Sequence, residues 1–171
     1  MTVTTPGDNP LLDFSGLPRF DAIAPSDVQP AISRLLDDCR ALIERLTSDP
    51  RAATWDNFAA PLSDGLEPLS RAWGIVGHLH SVNDVPAWRD AYNRLLPEVT
   101  RFYAEVGQNL QLFARYKAIA ESSEYAGLSA ARRRIVDNEL RDFRLAGAEL
   151  PEDRKPRFQA IAEELSQLDR K

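Results

Sequence analysis

The stretch Ser26-Asp-Val-Gln-Pro-Ala-Ile-Ser-Arg-Leu-Leu-Asp-Asp-Cys-Arg-Ala-Leu-Ile-Glu-Arg-Leu-Thr-Ser48 decides the fold class. Its apolar residues are Val28, Ile32, Leu35, Leu36, Cys39, Leu42, Ile43 and Leu46. Steps of three and four place them on one face of a helix. Ser26 and Gln29 have the spacing of a capping box, so the helix is expected to start near Ser26. Pro30 falls at the edge of the first turn, where a missing N–H costs little. Asp49-Pro50 ends the helix.

The same period recurs downstream. Thr54-Trp-Asp-Asn-Phe58 reads as a capped short turn leading into a second helix at Pro61, with Leu62, Leu66, Leu69, Trp73, Val76 and Leu79 as its stripe. Pro68 should bend that helix, and Asn83-Asp84 should close it. A third segment, Pro86 to about Ser122, aligns Trp88, Tyr92, Leu95, Leu96, Val99, Phe102, Tyr103, Val106, Leu110, Phe113, Tyr116 and Ile119. Pro97 and Gly107-Gln-Asn109 should kink it or split it into two successive helices. Ser129 caps a further helix with Ile135, Val136, Leu140 and Phe143 inward and Gly147 as its stop. A last helix after Pro151 or Pro156 buries Phe158, Ile161, Ala162, Leu165 and Leu168. No window alternates like a strand, and no long-period repeat is present.

Upstream, Pro6, Pro10, Pro18 and Pro25 make residues 1–25 an extended arm. Leu11, Leu12, Phe14, Leu17, Phe20 and Ile23 are too apolar for water, so part of the arm should lie across the helices. The expected architecture is all-α: an irregular multi-helix bundle of about five to seven helices, some Pro-kinked. An extended amino-terminal arm (1–25) packs on a helical domain (26–171).

The 171 residues are enough for one domain that buries roughly 70% of its unfolded surface. The 43% apolar and 27% charged fractions are those of a globular chain. A net charge of −5 argues against nucleic acid or an anionic membrane as main partner. Cys39 has no second cysteine to pair with, and the amino terminus lacks a basic and apolar leader. No stretch reaches the ~20 apolar residues of a membrane span. The reading is a cytoplasmic protein.

Chemistry is sparse. His78 and His80 are the two histidines, and two residues apart on a helix they diverge by about 200°. They cannot grip one zinc ion together; His80 should pack and His78 should face away. Cys39 lies in an apolar stripe, where its thiol would be inert. The acidic pairs Asp37-Asp38 and Glu163-Glu164 sit on solvent faces, and no glycine run forms a phosphate cradle. Arg132-Arg133-Arg134 with Arg141 and Arg144 is the strongest charge cluster. It reads either as a solvated face paired with Asp137, Glu139 and Asp142, or as a docking surface for another domain or an acidic partner. No catalytic, cofactor-binding or metal-binding residue is assigned.

Several blocks nevertheless resemble a known family. Asn9-Pro-Leu-Leu12, Leu17-Pro-Arg-Phe20, Thr54-Trp-Asp-Asn-Phe58 with Pro61-Leu62, His78-Leu-His-Ser-Val82, and Trp88-Arg-Asp-Ala-Tyr92 with Leu96-Pro97 occur in order. The densest block is Val136-Asp-Asn-Glu-Leu-Arg-Asp-Phe143, followed by Gly147, Leu150-Pro151, Arg157-Phe158 and Leu165. Together they resemble the amino-terminal region of the oligopeptidase A group within the thimet oligopeptidase-like zinc metallopeptidases.

The resemblance implies a longer metalloendopeptidase whose other part carries a His-Glu-x-x-His helix and one zinc ion. Those residues do not occur here, so none is carried over, and this chain alone should be inactive. Its partners would be the missing carboxy-terminal catalytic domain and short peptide substrates. The helices would wall one side of a channel, and the inner ends of the Trp73 and Phe143 helices would face the missing domain. The last helix has no stop signal before Lys171; it either frays at a natural end or is cut inside a longer helix. The alternative is a self-contained helical adaptor or interaction module that uses the Arg132–Arg144 face or an apolar groove.

Overall fold

The computed structural model describes residues 9–83, 85–151, 153, 154, 157, 160 and 161. Six α-helices and no strand occur among them: α1 (Pro25–Ser48), α2 (Ala60–Val82), α3 (Pro86–Gly107), α4 (Leu110–Ala120), α5 (Ser123–Gly127) and α6 (Ala130–Leu145). The all-α expectation holds. The chain forms two compact units, Met1–Arg51 with Asp56–Tyr103, and Ala52–Trp55 with Ala104–Lys171.

In the first unit, α1 and α2 pack extensively on each other. Val28, Ala31, Ile32, Leu36 and Cys39 of α1 and Leu69, Ala72 and Val76 of α2 are almost wholly buried, as are Leu95, Val99 and Phe102 of α3. Gly65 permits the close approach of α1, because a Cβ there would overlap Leu42 Cδ2. Pro30, Pro68 and Pro97 all lie within unbroken helices. The turn before α2 is a π-helical turn, Trp55–Ala59, that buries Phe58.

The start of α1 differs from expectation. Its N-cap is Ala24, and Ser26 is already helical. Pro25 at the first helical position is set for helix by its ring, and the Asp27 carboxylate accepts from the Ala24 N–H at 2.8 Å. Asp27 therefore plays the part expected of Gln29, and the arm ends at residue 24.

The arm packs over half its apolar residues. Asn9 caps a 3-10 turn, Pro10–Leu12, and Leu11 and Ile23 are buried. Leu12 and Phe14 are half-buried. Leu17 is 90% exposed and Phe20 is also exposed, contrary to expectation. After Phe14 the chain turns on Asp13, which accepts from Ser15 and pairs with Arg19 at 3.4 Å. Beyond that turn Leu17 faces solvent. Arg71 of α2 holds the turn by donating to the Gly16 carbonyl.

In the second unit α4 packs on α6. Leu112, Phe113, Tyr116 and Ile119 meet Val136, Leu140 and Phe143 in a buried core, the Phe143 ring lying 5.8 Å from Phe113 and 6.1 Å from Tyr116. The expected break of the third segment falls where Asn109 caps α4, its side chain accepting from the N–H groups of Gln111 and Leu112. Ser129 caps α6 by accepting from the Arg132 N–H. Gly147 ends α6 with φ 91°, while Ala148 N–H donates to Phe143 O and Gly147 N–H to Arg144 O. Both bonds of the Schellman closure are made, and only glycine takes that φ without strain.

Five inward assignments are corrected: Leu96, Tyr103, Leu110, Ile135 and Ile161 are exposed. In Leu95-Leu96, Phe102-Tyr103 and Ile135-Val136 the two apolar neighbours point about 100° apart, so one of each pair must face outward. Phe158, Ala162, Leu165 and Leu168 lie outside the described residues.

Candidate functional site

The two histidines are held apart by their ring partners. His80 lies seven positions after Trp73 on α2, about 10.5 Å of rise, which is room for one ring between them. Tyr92 of α3 fills that space, 4.8 Å from Trp73 and 4.4 Å from His80, near-parallel to both. His78 points elsewhere and meets Phe20 of the arm edge-on at 5.5 Å. His80 packs and His78 faces the exposed arm, as the two-residue spacing requires. Among the described residues no group of three or more His, Cys, Asp or Glu side chains could hold a metal ion. The described residues do not fit the zinc ion that the resemblance implies, and no zinc-dependent step is assigned to them.

The Cys39 thiol lies 3.7 Å from the Gly65 carbonyl. Burial pushes it up to about 11, with Asp38 adding to the shift, so little thiolate forms at neutral pH. Asp37 pairs with Arg40 at 3.3 Å, and Asp38 stands 3.7 Å from Arg34. These carboxylates are solvated members of local pairs. Glu163 and Glu164 lie outside the described residues.

The arginine cluster is dispersed around α6, since successive residues of a helix point 100° apart. The Arg132 guanidinium sits 5.1 Å over the Trp55 ring, while the Trp55 backbone N–H donates to the Glu124 carboxylate. Arg141 pairs with Asp142 at 2.8 Å and Arg144 with Glu149 at 3.1 Å. Of the expected acidic partners only Asp142 takes an arginine. Asp137 instead accepts from the Tyr125 hydroxyl at 2.5 Å. The Trp55 platform and the Tyr125–Asp137 bond escaped sequence reasoning, because their partners lie on other elements. A tryptophan inside a capped turn was the one available signal for the first.

Glu139 is half-buried near the Tyr116 ring, and burial, followed by Asp142, holds its carboxyl above the usual range. Burial first and Glu139 second also push the Tyr116 phenol up. A carboxyl raised in the folded state favours folding when protonated, and that advantage is lost as pH rises through its folded value. Glu139→Gln is therefore expected to raise the melting temperature at pH 7 by a few degrees, equivalent to about 1 kcal/mol. The gain should vanish below about pH 4, where glutamate is protonated in both states. Paired melts at the two pH values check the sign.

Comparison with known proteins supplies what the isolated side chains do not. Residues 27–155 match the family model "Neurolysin/Thimet oligopeptidase, N-terminal domain". The chain belongs to this family. It is 40% identical over 161 residues to oligopeptidase A of Haemophilus influenzae and 39% identical over 160 residues to that of Escherichia coli, in each case across 94% of the chain. A dipeptidyl carboxypeptidase of Salmonella typhimurium is 29% identical over 167 residues. The chain spans about a quarter, 24%, of the length of each of these relatives. This family's amino-terminal domain is what the sequence blocks resembled. No described helix is long and apolar enough to cross a membrane.

Proposed function

We propose that this chain is the amino-terminal helical domain of an oligopeptidase A-like zinc metalloendopeptidase, cytoplasmic and acting on short peptides. Its part is steric: helices that wall a substrate channel and exclude folded proteins. The observation that carries this reading is the identity to oligopeptidase A along nearly the whole chain, over only 24% of that protein's length. The sequence itself supports it, because a His-Glu-x-x-His motif cannot be written with His78 and His80. Peptide-bond chemistry and zinc then belong to polypeptide outside these residues. Exposed Val82 at the end of α2 and Leu145 at the end of α6 are apolar positions available to that polypeptide.

Assay of the purified chain with quenched fluorescent peptides, alongside metal analysis, tests the proposal. The expected result is no cleavage and no zinc; the chain extended by its downstream coding sequence should bind one zinc ion and cleave. Stoichiometric zinc with peptide hydrolysis by the 171-residue chain alone would falsify it.

A further inference from the structure

A cavity of about 340 Å³ opens in the first unit between the arm, α1 and α2. That volume lies at the lower end of small-molecule sites, which run from about 300 to 1,000 Å³. Leu12 and Phe14 of the arm, Leu35 of α1 and Pro68 of α2 supply apolar lining, while Arg34 and Asp38 supply the charges. These two stand one turn apart on α1, with Arg34 Nε 3.7 Å from Asp38 Oδ2. That separation is too long for a hydrogen bond, so both groups keep bonding capacity for a third party.

We propose that this cavity binds a free apolar α-amino acid. Such a molecule carries its ammonium and carboxylate on one carbon, so the two charges match a carboxylate and a guanidinium held side by side. Asp38 accepts from the ammonium, Arg34 donates to the carboxylate, and the apolar side chain enters among Leu12, Phe14, Leu35 and Pro68. In a dipeptide the two charges are separated by a further residue and cannot bridge the pair. A polar or acidic side chain would be desolvated against the same lining without a partner. Arg34 is 53% and Asp38 66% exposed, which sets the affinity low, with a Kd on the order of 1 mM. The inference does not depend on the protein's being part of a peptidase.

The test is a titration of the 15N-labelled protein with L-leucine, followed by amide shifts of residues 34–39 and 65–69. The comparison ligands are N-acetylleucine, leucinamide and leucyl-leucine. Saturable shifts are expected for leucine, with about tenfold weaker binding for the other three. Asp38→Asn should weaken leucine about tenfold while leaving N-acetylleucine unchanged, and Arg34→Gln should do the same with respect to leucinamide. Both side chains are more than half exposed, so an unchanged amide spectrum will verify that each variant folds. The proposal is overturned by no saturable shift up to about 20 mM leucine. Analogues or the dipeptide binding as tightly as leucine, or variants that bind leucine normally, would overturn it equally.

Discussion

Phe102→Ala is expected to destabilise the protein by about 3–5 kcal/mol. The ring is 1% exposed, on the buried side of α3, with Tyr103 edge-on at 5.5 Å and the Arg40 guanidinium over its face at 5.9 Å. Burying an aromatic ring removes about 150–250 Å² from water, worth roughly 4–6 kcal/mol at 25 cal/mol per Å². Truncation forfeits most of that and leaves a cavity whose walls relax only in part. Phe102→Leu keeps most of the volume and should cost only about 1–2 kcal/mol. Urea unfolding read by tryptophan emission measures both, since Trp73 and Trp88 report on the same unit. Because the chain forms two units, circular dichroism should be followed in parallel to test two-state behaviour. A loss below about 1 kcal/mol for the alanine variant would show that the ring does not hold α3 as described.

Asn9→Asp should cost nearly as much, by a different route. Asn9 is a polar residue only 6% exposed. Its Oδ1 accepts from the Leu11 N–H at 3.0 Å, and its Nδ2 donates to the Asp27 carbonyl at 2.9 Å. Aspartate has the same shape and keeps the first bond, but sets an acceptor against an acceptor in the second. The new carboxylate is also removed from water without a cation. About 2–4 kcal/mol should be lost near pH 7. Part of this should return on acidification, because the protonated carboxyl of the variant could again donate to the carbonyl. A destabilisation independent of pH would count against this account; so would an Asn9→Ala variant less stable than the aspartate one at pH 7.

The helices were legible because their signals are local. The stripes of α1 and α2, the Asn109 and Ser129 caps and the Gly147 stop depend on residues within a turn or two of one another. The start of α1 was misplaced by one such signal outcompeting another. Ser26-x-x-Gln29 and Pro25-x-Asp27 both propose a start, and the fixed φ of Pro25 favours the earlier one. The histidine reading also held, since a two-residue spacing on a helix separates side chains whatever they pack against. The arginine cluster was half legible: its residues were visible, but Trp55, Glu149 and the rival Tyr125 were not predictable as partners.

By itself the sequence determined the helical class, the family, and the divergence of His78 from His80 on α2. Each follows from spacing along the chain, which the 3.6-residue period converts into direction. The tertiary structure alone decided which of two adjacent apolar residues is buried, and that Leu17 stays exposed while Leu11 is covered. It also decided that Tyr92 enters between Trp73 and His80, and that Leu12 and Phe14 meet Arg34 and Asp38 around one cavity. These choices join residues well separated along the chain. They are settled by which surfaces fit once the helices touch, a comparison that no local period encodes.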